Sequence, residues 1–421
     1  MNILFLTQIL PYPLVGGAKI RAYYMLRQLV QAHEVTLVSF VREDDRPQDV
    51  AHLEQLCAAV HTVPMVRSRG RDGRSLLTSW LTGQPAVIIR DEIKEMHRLL
   101  DRLMAEQSFD IVHADQTSMA QYGLYVKENG RVPFALLDQH NAMYTLVARQ
   151  AQQQRTVWQR WLWQREARLL RRYESGLLHR FDAVLTVTAV DRERLLALLP
   201  AGQQEQMASR ITSIPICVDP ETEPMIPWQA AGSQILHLGT MFWPPNVEGV
   251  RWFAEAILPQ VVAQIPDVQF VIAGKNPPAT ITALAEAGFA YHPHIRVTGF
   301  VPDPEPLLSQ SRVFIVPLRA GGGMRVKVVD AWQWGLPIVS TTIGAEGIET
   351  RPGENILLAD EPTAFAAAVV ALLQDDELGK RLRLNGRRWV ETHYNWRTVY
   401  PQIEMIYQRK TGNEKRETEN G

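Results

Sequence analysis

Cysteine is nearly absent from the 421-residue chain. Cys57 and Cys217 are far apart and at no metal-ligand spacing, which excludes a disulfide scaffold, argues against structural zinc and fits a reducing compartment. Net charge is nearly absent too. Lys+Arg 44 against Asp+Glu 45 gives a formal −1, so the surface as a whole has no attraction for nucleic acid. No apolar run approaches the ~18 residues of a membrane span. No export signal opens the chain: Met1-Asn2-Ile3-Leu4-Phe5-Leu6 lacks a basic flank and its apolar run ends at Pro11, so it reads as a buried strand of a cytoplasmic protein. No Gly-x-Gly-x-x-Gly opens either half, which argues against a dinucleotide oxidoreductase. What remains is an ordinary globular composition, 46% hydrophobic and 21% charged. The length suits two domains of about 200 residues each.

Short apolar runs alternate with helical patterns, the signature of parallel sheets covered on both faces. In the first half the runs are Ile3–Leu6, Glu34–Phe40, Ile111–His113, Phe134–Leu137 and Ala183–Val187. A turn with Gly16 and Gly17 follows the first, and an amphipathic helix follows the turn. A second series comes after the Pro- and Gly-bearing stretch Pro220–Gly232: Ile235–Leu238, Val268–Ala273, Ile295–Val297, Val313–Val316 and Pro337–Ser340. Two doubly wound α/β domains in series are expected, with ligands outside the carboxyl ends of the strands. The tail from about Lys410 is charged and polar and is expected to fray.

The stretch Phe314–Trp332 holds a strand, the triple glycine Gly321-Gly322-Gly323, then Met324, Arg325, Lys327 and a helix. Glycines let backbone approach a ligand, and a helix start offers N–H groups and a positive dipole end that favour phosphate. Arg325 and Lys327 would oppose that dipole unless something negative is bound, so an anion site is favoured over a merely solvated turn. No Asp-x-Asp stands at a strand end, so no metal and no cofactor are expected.

Gly335-Leu336-Pro337-Ile338-Val339-Ser340-Thr341-Thr342-Ile343-Gly344-Ala345-Glu346-Gly347, with Val297-Thr298-Gly299-Phe300-Val301-Pro302-Asp303 before it, resembles the retaining glycosyltransferases of GT-B fold, family 4. The Gly16-Gly17 loop, Asp138-Gln139-His140-Asn141, Pro215–Asp219 and Tyr394-Asn395-Trp396 follow in the family's order. The resemblance implies two Rossmann-like domains facing across a cleft, at residues 1–222 and 223–394, with 395–421 returning to the first domain as a helix and a tail. It also implies a nucleotide-sugar donor on the second domain, and a carbohydrate or lipid-linked acceptor on the first, where Gly16 and Gly17 form the acceptor-side loop. Gly299, Phe300 and Val301 would line the base pocket, the amides of Gly322, Gly323, Met324 and Arg325 would hold the diphosphate, and Asp330 would bind the ribose. His140 would approach the transferred sugar. Asp330 matches the last carboxylate of the family's Glu-x7-Glu motif, whereas the first falls on Gly322. Many members carry Arg and Lys where this chain has Thr240 and Asn246, and Arg325 and Lys327 would replace those cations. The resemblance is to a subgroup found near exopolysaccharide or exosortase loci. Rival readings are an epimerase or phosphorylase of the same fold, and a silent nucleotide-sugar binding subunit.

His113 reads as structural, and Glu174 and Asp191 as capping or solvated. Lys275 is open to either reading. A helix from about Ala151 to Arg180 places Trp158, Trp161, Leu162, Leu169 and Tyr173 on one face, expected to pack on the first domain. Its seven arginines against Glu166 and Glu174, a formal +5, suit an anionic membrane surface and a peripheral place on its inner face.

Overall fold

The computed structural model describes residues 1–130, 132–154, 156–228 and 232–408, so the tail expected to fray lies outside the described residues. The chain divides into two units, Met1–Cys217 with the described part of Val399–Gly421, and Val218–Thr398. Each is a parallel sheet with helical crossovers, as the alternating pattern predicts.

Unit one holds seven strands: β1 (Asn2–Thr7), β2 (Glu34–Val41), β3 (Ala59–Pro64), β4 (Ile111–Asp115), β5 (Phe134–Gln139), β6 (Ala183–Thr186) and β7 (Ile211–Ser213). Their order is β3-β2-β1-β4-β5-β6-β7. The apolar runs are buried on both faces, which the crossovers of a parallel sheet require. Asp115 and Asp138 are register partners at the carboxyl ends of β4 and β5. The helices that matter below are α1 (Gly17–Leu29), α2 (Arg69–Thr82), α3 (Met143–Gln152) and α4 (Val157–Arg180).

Unit two holds β8 (Gln234–Leu238), β9 (Gln269–Ala273), β10 (Ile295–Gly299), β11 (Ser311–Val316), β12 (Ile338–Ser340) and β13 (Leu357–Leu358), in the order β10-β9-β8-β11-β12-β13. Strand order reverses between β8 and β11. The loops leaving those two strands therefore flank the switch point where open α/β sheets bind ligands. Among its helices are α5 (Pro244–Trp252), α6 (Val326–Gln333) and α7 (Asp376–His393). Trp332 of α6 is fully buried, donates to Asn355 O at 2.7 Å and lies so close to Gly386 of α7 that a Cβ there would meet its ring at 2.3 Å.

The helix expected over 151–180 is two helices. Thr156 takes an extended conformation (φ −102°, ψ 145°) at the start of α4, and α3 folds back on α4 through Val147, Ala167 and Leu170. The aromatic face also differs from expectation. α4 buries Ala167, Leu170, Glu174, Leu177 and Leu178, while Trp158, Trp161 and Trp163 are exposed. The core takes a stripe near the helix's carboxyl end, and the tryptophans of its first turns lie beyond it.

Candidate functional site

The loop after β8 begins at Gly239, whose N–H donates to Ala273 O at 3.0 Å, and Met241 N–H donates to Lys275 O at 3.0 Å. Gly274 N–H donates in turn to Gly299 O at 2.8 Å. The three loops leaving β8, β9 and β10 are thus laced side by side. Gly274 has no substitute here, because a Cβ would stand 1.7 Å from Gly239 O. Gly299 ends β10 with φ +71°, Phe300 beside it is exposed, and Val301 is half-buried.

The loop after β11 needs its glycines for backbone reasons. Gly321 (φ 130°) and Gly323 (φ 78°) occupy a region side chains rarely adopt, whereas Gly322 does not. Arg325 is buried, donates from Nη1 to Gly322 O at 2.8 Å and lies 3.7 Å from Glu346 Oε2. Its guanidinium also sits 5.6 Å from the Trp243 ring centre. Arg325 therefore shapes the glycine turn, with part of its charge met by Glu346.

Lys327, on the first turn of α6, points its Nζ at Asn246 Oδ1, 2.8 Å away. Asn246 is itself oriented by its Nδ2, which donates to Thr240 O at 2.8 Å. A Cβ on Gly239 would stand 2.7 Å from that Nζ. The ammonium of Lys327 thus lies against the side chain at 246, where many relatives carry a cation of their own. Burial lowers the Lys327 ammonium to about 7, and neighbouring Arg325 adds to the effect. Burial likewise raises the Asp330 carboxyl to about 7 against the opposing pull of Lys327. Both groups are poised for a ligand that favours charge: an anion at Lys327, hydroxyl donors at Asp330. Burial, with Lys327 beside it, holds His237 well below its ordinary value and therefore neutral.

In unit one, His140 follows β5 and its Nε2 lies 2.7 Å from Asp115 Oδ1 at the end of β4. Arg21 of α1 grips Asp138 through Nε, 3.0 and 2.8 Å from its two oxygens, and donates from Nη1 to Ile214 O at 2.6 Å and Pro215 O at 3.1 Å. Burial would raise Asp138; Arg21, His113 and His140 outweigh it and hold the carboxyl below the ordinary range. Asp115, Asp138 and His140 bring ligand atoms within 4.8 Å of one another. Asp138 already faces a buried guanidinium, which disfavours a second positive ion there. Gly16 (φ 91°) is the N-cap of α1 and Gly17 its first residue.

His113 is structural, fully buried with Nδ1 2.7 Å from the Tyr407 hydroxyl. Glu174 and Asp191 are not solvated. Glu174 accepts from Met143 N at 2.7 Å, Tyr144 N at 2.9 Å and Gln139 Nε2 at 2.5 Å, capping α3 from α4. Burial outweighs those bonds and pushes its carboxyl up to about 8. Asp191 accepts from Ala142 N at 3.2 Å and Thr188 Oγ1 at 2.6 Å. Lys275 is exposed. Sequence reasoning missed Arg21, Asp115, Gly239, Gly274 and Trp243. For Asp115 a signal existed, a carboxylate ending a strand beside the one ending at Asp138. For Arg21 there was none.

Residues 15–222 match the family model described as Glycosyltransferase Family 4, and residues 232–375 that described as Glycosyl transferases group 1. A phosphatidyl-myo-inositol mannosyltransferase of Mycolicibacterium smegmatis is 23% identical over 325 residues, 75% of each chain. A protein of the cps region of Klebsiella pneumoniae is 27% identical over 172 residues, 40% of this chain and 44% of its own, so this chain spans less than half of that relative. Among solved structures, Anabaena Alr3699/HepE in complex with UDP and glucose superposes with a TM-score of 0.66 at 15% identity, covering 97% of this chain and 100% of that one. That likeness is one of fold.

Proposed function

Because the chain belongs to the family 4 glycosyltransferases and has their GT-B fold, we propose that it moves a hexose-type sugar from a UDP- or GDP-sugar to a carbohydrate or lipid-linked saccharide, with retention and without a metal. The observation that carries this reading is the position of Lys327 Nζ, at the switch point of unit two, 2.8 Å from Asn246 and on the same short helix as Asp330. A donor diphosphate takes its countercharge from Lys327 and the glycine turn, its ribose from Asp330, and its base from Gly299, Phe300 and Val301.

In transfer the bond between the sugar's anomeric carbon and the phosphate oxygen breaks, and its electron pair leaves with the diphosphate. The acceptor hydroxyl attacks the same face, and its proton passes to the departing phosphate oxygen. Lys327 meets the charge that develops there, preorganised electrostatics of the kind that contributes most in such sites. His140, held by Asp115, serves the transferred sugar, and the Gly16-Gly17 loop serves the acceptor. A relative named for transfer to phosphatidyl-myo-inositol supports a lipid acceptor.

Incubation with labelled UDP- and GDP-sugars in excess EDTA tests the reading. A glycoside of retained anomeric configuration is expected. An epimer, phosphate-dependent cleavage, or binding without turnover would replace it by an epimerase, a phosphorylase or a silent binding subunit. Complete loss in EDTA, restored by Mg²⁺ or Mn²⁺, would overturn the metal-free part.

A further inference from the structure

Helix α2 is turned inside out. It buries Ser75 and Ser79 and presents Leu76, Leu77, Trp80 and Leu81 to solvent, with Leu81 80% exposed. Those four lie at i, i+1, i+4 and i+5, one continuous stripe of the kind that ordinarily faces a core. The stripe continues onto the first turns of α4. Trp80 stacks on Trp161 with ring centres 5.5 Å apart. Arg165 of α4 lies 4.2 Å from the Trp80 ring centre and donates to Ser79 Oγ at 3.0 Å and to Ser79 O at 2.8 Å. Val157, Trp158 and Trp163 extend the surface, and Val157 is 82% exposed. A patch this continuous marks a binding surface, whereas single exposed apolar residues are ordinary.

Charge identifies the occupant. Residues 66–81 and 157–172 together carry nine arginines against Asp72 and Glu166, a formal +7 in a chain whose total is −1. Arg69, Arg74, Arg160, Arg168, Arg171 and Arg172 are exposed around the apolar stripe. A second copy of the chain would bring an equal positive charge and be repelled. A surface that is apolar just below a negative layer matches both halves of the pattern, with tryptophan at the boundary and arginine reaching the charged groups.

We propose that α2 and the start of α4 form a docking face for an anionic lipid bilayer, a deepening that rests on the lipid-linked acceptor proposed above. The stripe enters the acyl boundary, and the arginines pair with lipid phosphates and anionic headgroups.

Co-sedimentation of the full chain with phosphatidylcholine vesicles, with and without phosphatidylglycerol, is the test. Binding is expected only to the anionic vesicles, with a blue shift of tryptophan emission. The combined change Arg69→Gln, Arg74→Gln, Arg160→Gln and Arg168→Gln should weaken partitioning by about 100-fold or more. Leu77→Ser with Leu81→Ser should abolish the blue shift. Both variants keep donor turnover with a water-soluble acceptor, which also shows that they fold. Absence of parent binding, equal binding to neutral vesicles, variants that bind like the parent, or a concentration-dependent dimer that the leucine variant dissolves would each overturn the proposal. Donor turnover separates the two readings. Lost docking with intact turnover removes the bilayer alone, whereas docking without turnover leaves the face standing and removes the transfer chemistry.

Discussion

Replacing Lys327 by Met tests whether one relocated cation carries the leaving-group chemistry. Methionine keeps most of the side chain's bulk and removes only the ammonium that lies 2.8 Å from Asn246. A unit charge about 4 Å from a developing phosphate charge is worth about 4 kcal/mol at an effective dielectric constant of about 20. Removing one preorganised electrostatic partner costs about 100-fold to 1,000-fold in kcat. The two estimates agree, so Lys327→Met should lower kcat by ~100-fold or more. Steady-state kinetics at saturating donor and acceptor reads the loss, and thermal unfolding should show no loss of stability, since a buried charge has gone. The position of Asn246 supplies a rescue. A lysine at 246 starts from the residue that Lys327 now touches, so Lys327→Met with Asn246→Lys should recover part of the lost rate. The pH dependence has a definite sign. With the Lys327 ammonium at about 7 in the free protein, a diphosphate binds the protonated form, so nucleotide affinity should be highest below pH 7 and fall as pH rises through it. Normal kcat in the single variant, or a double variant no faster than it, would refute the assignment of Lys327 to the leaving group.

Asp330→Ala should raise the apparent donor KM by about 10-fold with little change in kcat, because the ribose contact is the same in ground and transition states; a kcat defect as large as that of Lys327→Met would remove Asp330 from the ribose. His140→Ala should lower kcat while calorimetry shows nucleotide affinity unchanged, since the residue serves the sugar; normal turnover would return it to a structural part held by Asp115. Arg21→Met should destabilise unit one by about 3–5 kcal/mol by leaving Asp138 buried without its partner, read by urea unfolding, and the loss should shrink at acid pH, where Asp138 takes up a proton. A loss that did not vary with pH would point to packing in place of charge.

Most of the sheet was legible because parallel strands are buried on both faces and read as continuous apolar runs. β3, β7 and β13 were not. They are outer strands, β7 has three residues and β13 two, and β3 alternates His61 and Thr62 with Val60 and Val63. The glycine turn and Lys327 were visible because strand, glycines and helix follow one another in sequence. Arg325 was visible as a charge, but not as the residue that holds Gly322 O, since Trp243 and Glu346 come from other loops. Arg21 and Asp138 are 117 positions apart, and no local pattern pairs them. The outward face of α2 was hidden because its spacing is that of any buried amphipathic helix. The difference lies in Ser75 and Ser79, which the fold accepts in place of leucine.

The return of the chain to unit one at Val399 governs the order in which the molecule can be built. Unit two is a single continuous stretch, Val218–Thr398, whereas unit one needs residues from both ends. Tyr400 and Tyr407 are fully buried there, with the Tyr400 hydroxyl accepting from Cys217 N at 3.1 Å and Glu404 2.8 Å from His33. A nascent chain leaving the ribosome therefore carries an N-terminal half that stays incomplete until nearly the last residues emerge, while the unit made second closes first. The usual N-to-C sequence of domain folding is inverted. A stop codon after Cys217 would not release a working half-molecule: His113 would lack Tyr407, the Cys217 amide would lack Tyr400, and the sheet beneath them would stand open to chaperones and proteases.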